Sequence, residues 1–174
     1  KPHFNKNAYD YYIDRAKNDV GLMIPGMLPL RSMILDKWAY NYPKAFSDAR
    51  PLFDEIHSYG SKVFLQIGTG FGGRNFTLAK QMTPLIDNKV VGTLGKKVMN
   101  MDHLMVSASD DIPNVWIPDY KCRAITKEEI QEYITAFGKT ALLAKEAGAD
   151  GVEVHAVHEG YLLDQFATKY TNHR

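Results

Sequence analysis

The chain has 174 residues, of which 45% are hydrophobic and 24% charged, the proportions of an ordinary globular domain. Its 21 Lys and Arg against 20 Asp and Glu give a net charge of +1, which argues against a nucleic-acid-binding surface. No stretch reaches the roughly 18 consecutive apolar residues of a membrane span. The single cysteine, Cys122, cannot form an internal disulfide, and with no signal sequence recognised it predicts a reducing, cytoplasmic setting.

Helices and short apolar strands alternate along the chain, beginning with two similar units. In the first unit, apolar residues at helical spacing predict a helix over 8–18, and an apolar run predicts a strand over 20–24. In the second unit, an amphipathic helix over 49–58 ends at Gly60, and an apolar strand follows over 62–67. Uninterrupted apolar strands are typical of parallel sheets that are buried on both faces.

The third unit carries the clearest helix signal. Thr126 and Glu129 have the spacing of a capping box, which predicts that a helix begins there and continues over 127–147. A third strand is predicted over 151–157, after a glycine stop at Gly148. Three strands that each follow a helix imply parallel pairing through crossover connections. This is α/β architecture, either an open sheet or part of a barrel.

The segment 68–125 interrupts this alternation. It is rich in glycine and proline, and so long a connection between a strand and the next helix is unusual unless it is functional. Because ligands of α/β folds bind at the carboxyl ends of strands, we expect this excursion to border a site. Its first residues, 68–74 (GTGFGGR), lack the spacing of a dinucleotide-binding or nucleoside-triphosphate loop and predict a tight turn.

Polar side chains occur at the ends of the second and third strands. Gln66 lies on an otherwise apolar strand. Its amide serves either a structural hydrogen bond or the recognition of a planar ligand that offers both a donor and an acceptor. A dense polar cluster accompanies the end of the third strand and comprises His155, His158, Glu159 and Tyr161. Such a cluster at a strand end is typical of a functional site.

This cluster is compatible with two kinds of chemistry. In the first, His155, His158 and Glu159 are metal ligands, although their spacing is not that of a helical zinc motif and no further ligand is evident. In the second, the two imidazoles are neutral donors that hold an oxygen or an anionic group of a substrate. Tyr161 then acts as a general acid that gives a proton to carbon.

Residues 149–174 (ADGVEVHAVHEGYLLDQFATKYTNHR) resemble the central signature of the Old Yellow Enzyme family. The form HAVHEGY is similar to the branch of enoate reductases and bile-acid-inducible reductases. The resemblance continues through 125–148, the strand 62–67 and the segment 112–123 (IPNVWIPDYKCR). It implies a (β/α)8 barrel that binds FMN and reduces activated carbon–carbon double bonds, with NAD(P)H as the reductant.

The resemblance also implies roles for single residues. Gln66 matches the glutamine that pairs with the pyrimidine edge of the flavin, and Gly26 and Met27 fall where the second barrel strand passes the flavin. These three are the expected cofactor-binding residues, and no metal site is expected. In the same way, His155 and His158 match the pair that binds the carbonyl or carboxylate of the substrate.

Tyr161 matches the tyrosine that protonates the substrate carbon next to that group, and is therefore the expected catalytic residue. Most family members have one residue fewer between the first histidine and this tyrosine, whereas the enoate reductase branch shares the insertion of Glu159.

A complete barrel of this kind needs about 250 residues. The match covers strands two to four of the family barrel, so residues 1–174 are predicted to form a partial flavin-binding domain with an excursion at 68–125. The chain is accordingly expected to be a segment of a longer protein. An iron–sulfur cluster of the enoate reductase branch would lie further downstream. The partners left open besides a small-molecule substrate are a second copy and a complementing barrel half.

The expected activity is that of an ene-reductase acting on α,β-unsaturated acids, thioesters or ketones. Two alternatives remain open at this point. One is a metal-dependent hydrolase at His155 and His158. The other is a non-catalytic barrel fragment that assembles with another chain, because three parallel strands leave edges and apolar surface uncovered. Whichever reading holds for the whole protein, the resemblance implies that the 174 residues alone bind flavin poorly, since the family's phosphate site is not among them.

Overall fold

The computed structural model describes residues 4–33, 36–70, 74, 88, 90, 93, 101–158 and 161–174. The helices in these residues are α1 (Lys6–Lys17), a 3-10 helix (Ala39–Asn41), α2 (Pro43–Ser47), α3 (Arg50–Ser58), α4 (Met101–Leu104), α5 (Lys127–Glu146) and α6 (Leu162–Ala167). The strands are β1 (Leu22–Met23), β2 (Leu28–Pro29), β3 (Lys62–Gly68), β4 (Val106–Ser107), β5 (Ile112–Pro113), β6 (Lys121–Ala124) and β7 (Gly151–His155). The three predicted helix–strand units are therefore present, although the first and third strands are shorter than predicted.

Local sequence signals set the ends of the main helices. The side chain of Asn5 accepts a hydrogen bond from Ala8 N–H and caps α1. The predicted capping box of α5 is confirmed, because Thr126 Oγ1 accepts from Glu129 N–H at 3.1 Å and Glu129 Oε2 accepts from Thr126 N–H at 2.9 Å. Both predicted glycine stops have the expected left-handed backbone, with φ of 81° at Gly60 and 98° at Gly148.

The main sheet is parallel and centred on β3. Strand β7 lies along one side of β3, with Gln66 opposite Glu153 and Gly68 opposite His155. Strands β1 and β2 lie along the other side, where Leu22 is opposite Lys62. The prediction of adjacent parallel strands is thus confirmed.

The strand predicted over 20–24 is shorter than expected, covering only Leu22–Met23, and a second strand segment follows at Leu28–Pro29. Met23 is opposite Val63, and Leu28 is opposite Ile67. Between these two pairs, the four residues 24–27 therefore lie against the three residues 64–66 of β3. The extra residue is a bulge, and Gln66 N–H donates to Pro25 O at 2.9 Å within it. The bulge brings the backbone around Pro25 and Gly26 against Gln66. The third predicted strand also ends earlier, at His155 and not at residue 157.

Side-chain alternation along β3 divides the sheet into two faces. Val63, Leu65 and Ile67 are buried in the main hydrophobic core together with residues of α3 and α5. The α3 residues are Leu52, Phe53 and Ile56, and the α5 residues are Tyr133, Ala136 and Ala144. Each large apolar side chain buried in this way contributes roughly 1.5–3 kcal/mol. The opposite face of β3 presents Phe64, Gln66 and Gly68, and it is the face of the candidate site.

The excursion after β3 forms a small sheet of its own in the described residues. Strand β6 pairs in parallel with β4 and antiparallel with β5. Cys122 on β6 is buried, and burial raises the pKa of its thiol to about 11. Residues 71–73 of the glycine-rich segment and most of 75–100 lie outside the described residues. No helix among the described residues has the length and apolar character needed to cross a membrane.

Candidate active site

The first row of the candidate site runs across three neighbouring strand segments. Gln66 at the centre donates from Nε2 to Glu153 Oε1 at 2.5 Å. On its other side lies Gly26, where a β-carbon would come within 2.5 Å of Gln66 Cβ and 2.7 Å of Gln66 Oε1. Real β-carbon contacts are not this short, so the close approach of the two strands requires glycine at position 26.

A second row lies nearer the carboxyl ends of the strands. Gly68 is opposite His155 in the register of β3 and β7. A β-carbon on Gly68 would lie 2.6 Å from Met27 Sδ and 3.1 Å from His155 Cβ. The Met27 side chain therefore covers the backbone of Gly68 beside His155. Met27, expected to be a cofactor-binding residue, lies next to an expected substrate-binding residue.

Three rings cluster just beyond this row. The ring centroids of His155 and Tyr161 are 5.5 Å apart, those of His158 and Tyr161 5.7 Å, and those of the two histidines 6.0 Å. His158 is an exposed residue whose backbone φ is 127°, a value that residues other than glycine rarely adopt. Such backbone outliers concentrate at functional sites. Tyr161 is the N-cap residue of α6, and its N–H donates to His158 O at 3.2 Å.

The two rows and the ring cluster lie on one face of the sheet. His155 shares the face of Glu153 because side chains alternate, and Glu153 is opposite Gln66. Adjacent strands are roughly 4.8 Å apart and rise roughly 3.3 Å per residue, so the backbones of Gln66 and His155 are about 8 Å apart. The structure thus brings together the six residues singled out in the sequence, which are Gly26, Met27, Gln66, His155, His158 and Tyr161.

The amino end of the same strands carries an ionic contact of a different kind. Asp150 precedes β7 and accepts from Val63 N–H at 2.9 Å and from His57 Nε2 at 2.7 Å, with Lys62 Nζ at 3.0 Å. Burial by itself would raise the pKa of Asp150, but these three hydrogen bonds outweigh it and lower the pKa to about 2. This contact ties α3, β3 and β7 together at the end of the sheet away from the ring cluster.

A second ionic network joins the loop after β2 to the excursion and to α5. Arg31 contacts Asp36 at 2.5 Å and His103 Nδ1 at 2.9 Å, and His103 lies 3.2 Å from Glu129. Arg123 forms a double hydrogen bond with Glu129, at 2.6 and 2.8 Å. Hydrogen bonds from Arg123 lower the pKa of Glu129 to about 2, while burial and the positive charge of Arg31 lower the pKa of His103.

The metal-ligand interpretation of the histidine cluster gains no support from this geometry. Among the residues that the structure describes, no group of three or more His, Cys, Asp or Glu side chains is arranged to hold a metal ion. Glu159, the third ligand of that interpretation, lies outside the described residues.

Sequence reasoning missed two participants of the site, Glu153 and Gly68. Side-chain alternation puts Glu153 on the same strand face as His155, and a carboxylate between Val152 and Val154 is a visible signal. Its partner could not be inferred, because the register between β3 and β7 is a non-local property. The importance of Gly68 likewise follows from the positions of Met27 and His155 in space.

Comparisons with known proteins give a consistent result. A family model described as the NADH:flavin oxidoreductase / NADH oxidase family matches residues 1–174. The chain is 37% identical to a cinnamate reductase of Clostridium sporogenes and 30% identical to an NADH oxidase of Thermoanaerobacter brockii, each over 98% of its own length. It spans 24% and 23% of those two relatives, about a quarter of each.

Among solved structures, the chain is similar to an Old Yellow Enzyme from Pichia sp. AKU4542, with a TM-score of 0.64 and 23% identity. That match covers 97% of this chain and 41% of the other. At this identity the likeness concerns the fold. It confirms the predicted α/β architecture as part of a TIM barrel.

Proposed function

Because the chain belongs to the NADH:flavin oxidoreductase / NADH oxidase family, in its Old Yellow Enzyme and enoate reductase-like branch, we propose that it forms part of the active site of an ene-reductase. This family uses FMN together with a reduced nicotinamide. The proposed substrates are α,β-unsaturated carboxylates, with thioesters and ketones as further candidates. The relative with cinnamate in its name supports the carboxylate class, since cinnamate is such an acid.

We propose that residues 1–174 belong to one flavin-binding barrel domain and supply its strands two to four. The interrupted strand β1–β2, then β3, then β7 lie side by side and parallel, as successive barrel strands do. The excursion 68–125 and the loop after β7 follow the carboxyl ends of these strands. Barrel enzymes build their active sites at that end.

The residues on this face fit a flat cofactor that hydrogen-bonds along one edge. Gly26 and Gly68 leave the backbone bare at two places where a β-carbon could not be accommodated. Gln66 beside them offers an amide, which has both a donor and an acceptor. Gln66, Gly26 and Met27 are the residues that we propose to hold FMN. When bound, FMN would supply the hydride that is transferred to the β-carbon of the substrate.

The ring cluster provides the groups that act on the substrate. His155 and His158 carry ring N–H donors, and we propose that they bind the carbonyl or carboxylate oxygen of the substrate. Donors held in place at this oxygen stabilise the negative charge that develops there as the double bond is reduced. The Tyr161 hydroxyl, within the same cluster, is proposed to donate a proton to the α-carbon.

Neither alternative from the sequence is favoured by these findings. The family match describes flavin oxidoreductases, and its members in the comparison carry the names of reductases and oxidases. Assembly with a second copy or with a complementing chain stays a prediction. The cytoplasmic location also stays a prediction.

The observation that carries the proposal is the placement of three rings beside the Gln66 row on one sheet face. The test is to purify the full polypeptide that the gene encodes and to record its visible spectrum before and after anaerobic addition of NADH or NADPH. We expect a bound flavin that bleaches with the reductant and recovers on addition of cinnamate. A protein that contains no flavin after purification and after incubation with FMN would refute the proposal.

A further inference from the structure

The hydrogen bond between Gln66 and Glu153 has an unusual setting. Both residues are partly buried on the face of the candidate site, and they lie directly opposite each other on β3 and β7. Glu153 stands between Val152 and Val154 on a short strand, where a carboxylate is costly to bury unless it is paired. Its Oε1 accepts from Gln66 Nε2 at 2.5 Å, so the pairing is with a residue of the proposed flavin site.

The chemistry of the two side chains fixes the orientation of the Gln66 amide. An ionised carboxylate only accepts hydrogen bonds, whereas an amide has a donating end and an accepting end. The amide must therefore direct its nitrogen to Glu153 and its oxygen away from it. In the structure that oxygen points to Gly26, since Gln66 Oε1 lies 2.7 Å from the place where a β-carbon on Gly26 would be.

We propose that Glu153 is a positioning residue that holds the Gln66 amide in the one orientation suited to the flavin. This inference rests on the proposed function, because it assumes that FMN binds at Gln66. The pyrimidine edge of a flavin has an N–H between two carbonyl oxygens. An amide held in this orientation can use its oxygen to accept from the flavin N–H and its second N–H to donate to a neighbouring flavin carbonyl. A rotated amide would instead point an N–H at the flavin N–H, so that two donors would face each other.

The negative charge of Glu153 adds a second, separable effect. Reduction of a flavin increases the electron density of its pyrimidine ring, and a nearby carboxylate opposes that change by charge repulsion. Replacing Glu153 by a neutral residue of the same shape should therefore make the bound flavin easier to reduce. A residue that merely stabilised the sheet would have no such effect on the midpoint potential.

The experiment uses the full polypeptide, stripped of flavin and titrated with FMN while flavin fluorescence is recorded. The variants are Glu153→Gln, Gln66→Ala and the double variant, with Glu128→Gln on the exposed side of α5 as the control. A glutamine at position 153 can either accept from or donate to Gln66, so it no longer fixes the orientation of the amide. For Glu153→Gln we therefore expect FMN affinity to fall about tenfold, the size of a hydrogen bond to a charged group. We also expect a more positive midpoint potential of the bound flavin.

The double variant tests whether Glu153 acts through Gln66. In the Gln66→Ala background, Glu153→Gln should weaken FMN binding by less than about twofold, because the amide that it orients is gone. Circular dichroism and thermal melting verify that the variants fold. If Glu153→Gln does not fold, Glu153→Asp keeps the charge but withdraws the carboxylate from Gln66, and the same loss of affinity is expected.

The outcomes separate this inference from the proposed function. Wild-type protein that binds FMN, together with a Glu153→Gln variant of unchanged affinity and potential, would overturn the role of Glu153 alone. Equal losses from Glu153→Gln in the wild-type and Gln66→Ala backgrounds would also overturn it, since Glu153 would then act independently of the amide. Wild-type protein without affinity for FMN would overturn both.

Discussion

Gly26 and Gly68 determine how closely the residues around the candidate site approach one another. At each position a β-carbon would lie less than 3.0 Å from a neighbouring side-chain atom, belonging to Gln66 in one case and to Met27 in the other. The atom that a β-carbon at Gly68 would meet belongs to the flexible Met27 thioether, which can move aside. The atom that a β-carbon at Gly26 would meet is the β-carbon of Gln66, which is fixed to the β3 backbone. Position 26 is therefore the less tolerant of the two.

The first prediction concerns this position. Gly26→Ala should lower the free energy of unfolding by about 1–3 kcal/mol, the usual cost of overpacking, and should weaken FMN binding by displacing the Gln66 amide. Gly21→Ala is the matched control, because nothing lies within 4 Å of a β-carbon there. Thermal melting and FMN titration of the two variants test it. Equal behaviour of the two variants would show that the close approach has no consequence.

The second prediction concerns the proposed proton donor. Tyr161→Phe removes the hydroxyl but keeps the ring that contacts His155 and His158, so the cluster should persist. We expect the reduction of cinnamate to slow by a factor on the order of 10² to 10⁴, the usual contribution of a general acid. Reduction of the flavin by nicotinamide should be nearly unchanged, because no proton is given to substrate carbon in that half-reaction.

Stopped-flow measurement of the two half-reactions separates these effects. Tyr59→Phe serves as the control, since Tyr59 follows α3 at the amino end of β3. Equal slowing of both half-reactions in Tyr161→Phe would indicate a structural role for the hydroxyl and would contradict its assignment as the acid.

At the level of elements, the helix α5 links the core to the ionic network beside the excursion. Its inner side packs on the sheet through Tyr133, Ala136 and Ala144, and its first turn holds Glu129, which both caps the helix and pairs with Arg123. Since Arg123 lies on β6, this one carboxylate joins the main sheet and its helices to the small sheet of the excursion. The element therefore anchors the segment that borders the site.

The third prediction follows from the lowered pKa of Glu129. Its pKa is about 2 in the folded protein against an ordinary 4.5, so the unfolded chain takes up the proton first as the pH falls. The ionised Glu129 stabilises the fold fully above about pH 5, and this stabilisation is lost as the pH falls from 4.5 toward 2. Glu129→Gln can still form the capping box, so this variant removes mainly the charge.

Melting temperatures of the wild-type and Glu129→Gln proteins, measured between pH 7 and pH 3, test this prediction. We expect the wild-type protein to be more stable near neutral pH and the difference to shrink as the pH falls. A difference that stays constant over the whole range would show that the Arg123 pair contributes nothing through its charge.

The accuracy of sequence reasoning differs between elements for physical reasons. The start of α5 was predictable because a capping box is a local interaction between residues three apart. The interruption between β1 and β2 was not, because a bulge depends on how Gly26 meets Gln66 across the sheet. The three short strands of the excursion were missed because strands of two to four residues leave almost no periodic pattern.

The same distinction applies to the candidate site. Gln66 and His155 could be placed together from the sequence, since the carboxyl ends of neighbouring parallel strands meet at one edge. The pairing of Gln66 with Glu153 could not be predicted, because it depends on the register between β3 and β7. That register is not encoded in the local sequence of either strand. The expected roles of His158 and Tyr161 were one of two possible chemistries on the residues alone and were then favoured by the family resemblance. The structure adds that both rings lie close to His155.

At the scale of the whole molecule, apolar side chains remain exposed where the described sheet ends. Val154 on β7 is 48% exposed, and within the described residues β7 pairs only with β3. Leu22, on the face of the candidate site, is 44% exposed. An unpaired strand edge and uncovered apolar surface favour association with further chain segments. The chain covers about a quarter of the length of the cinnamate reductase and of the NADH oxidase, and the further sequence of such relatives is available to cover this surface.

The fourth prediction compares residues 1–174, expressed alone, with the full polypeptide that the gene encodes. The isolated segment should bind a hydrophobic dye such as ANS strongly, because Leu22 and the β7 edge are uncovered. It should bind FMN more than about tenfold more weakly than the full polypeptide, since even one missing hydrogen bond to the charged phosphate costs that much. Gel filtration shows whether the segment self-associates through the same surface. Equal FMN affinity and equal dye binding in the two proteins would contradict this prediction. Residues 1–174 would then be sufficient for the flavin site, and the rest of the polypeptide would not contribute to flavin binding.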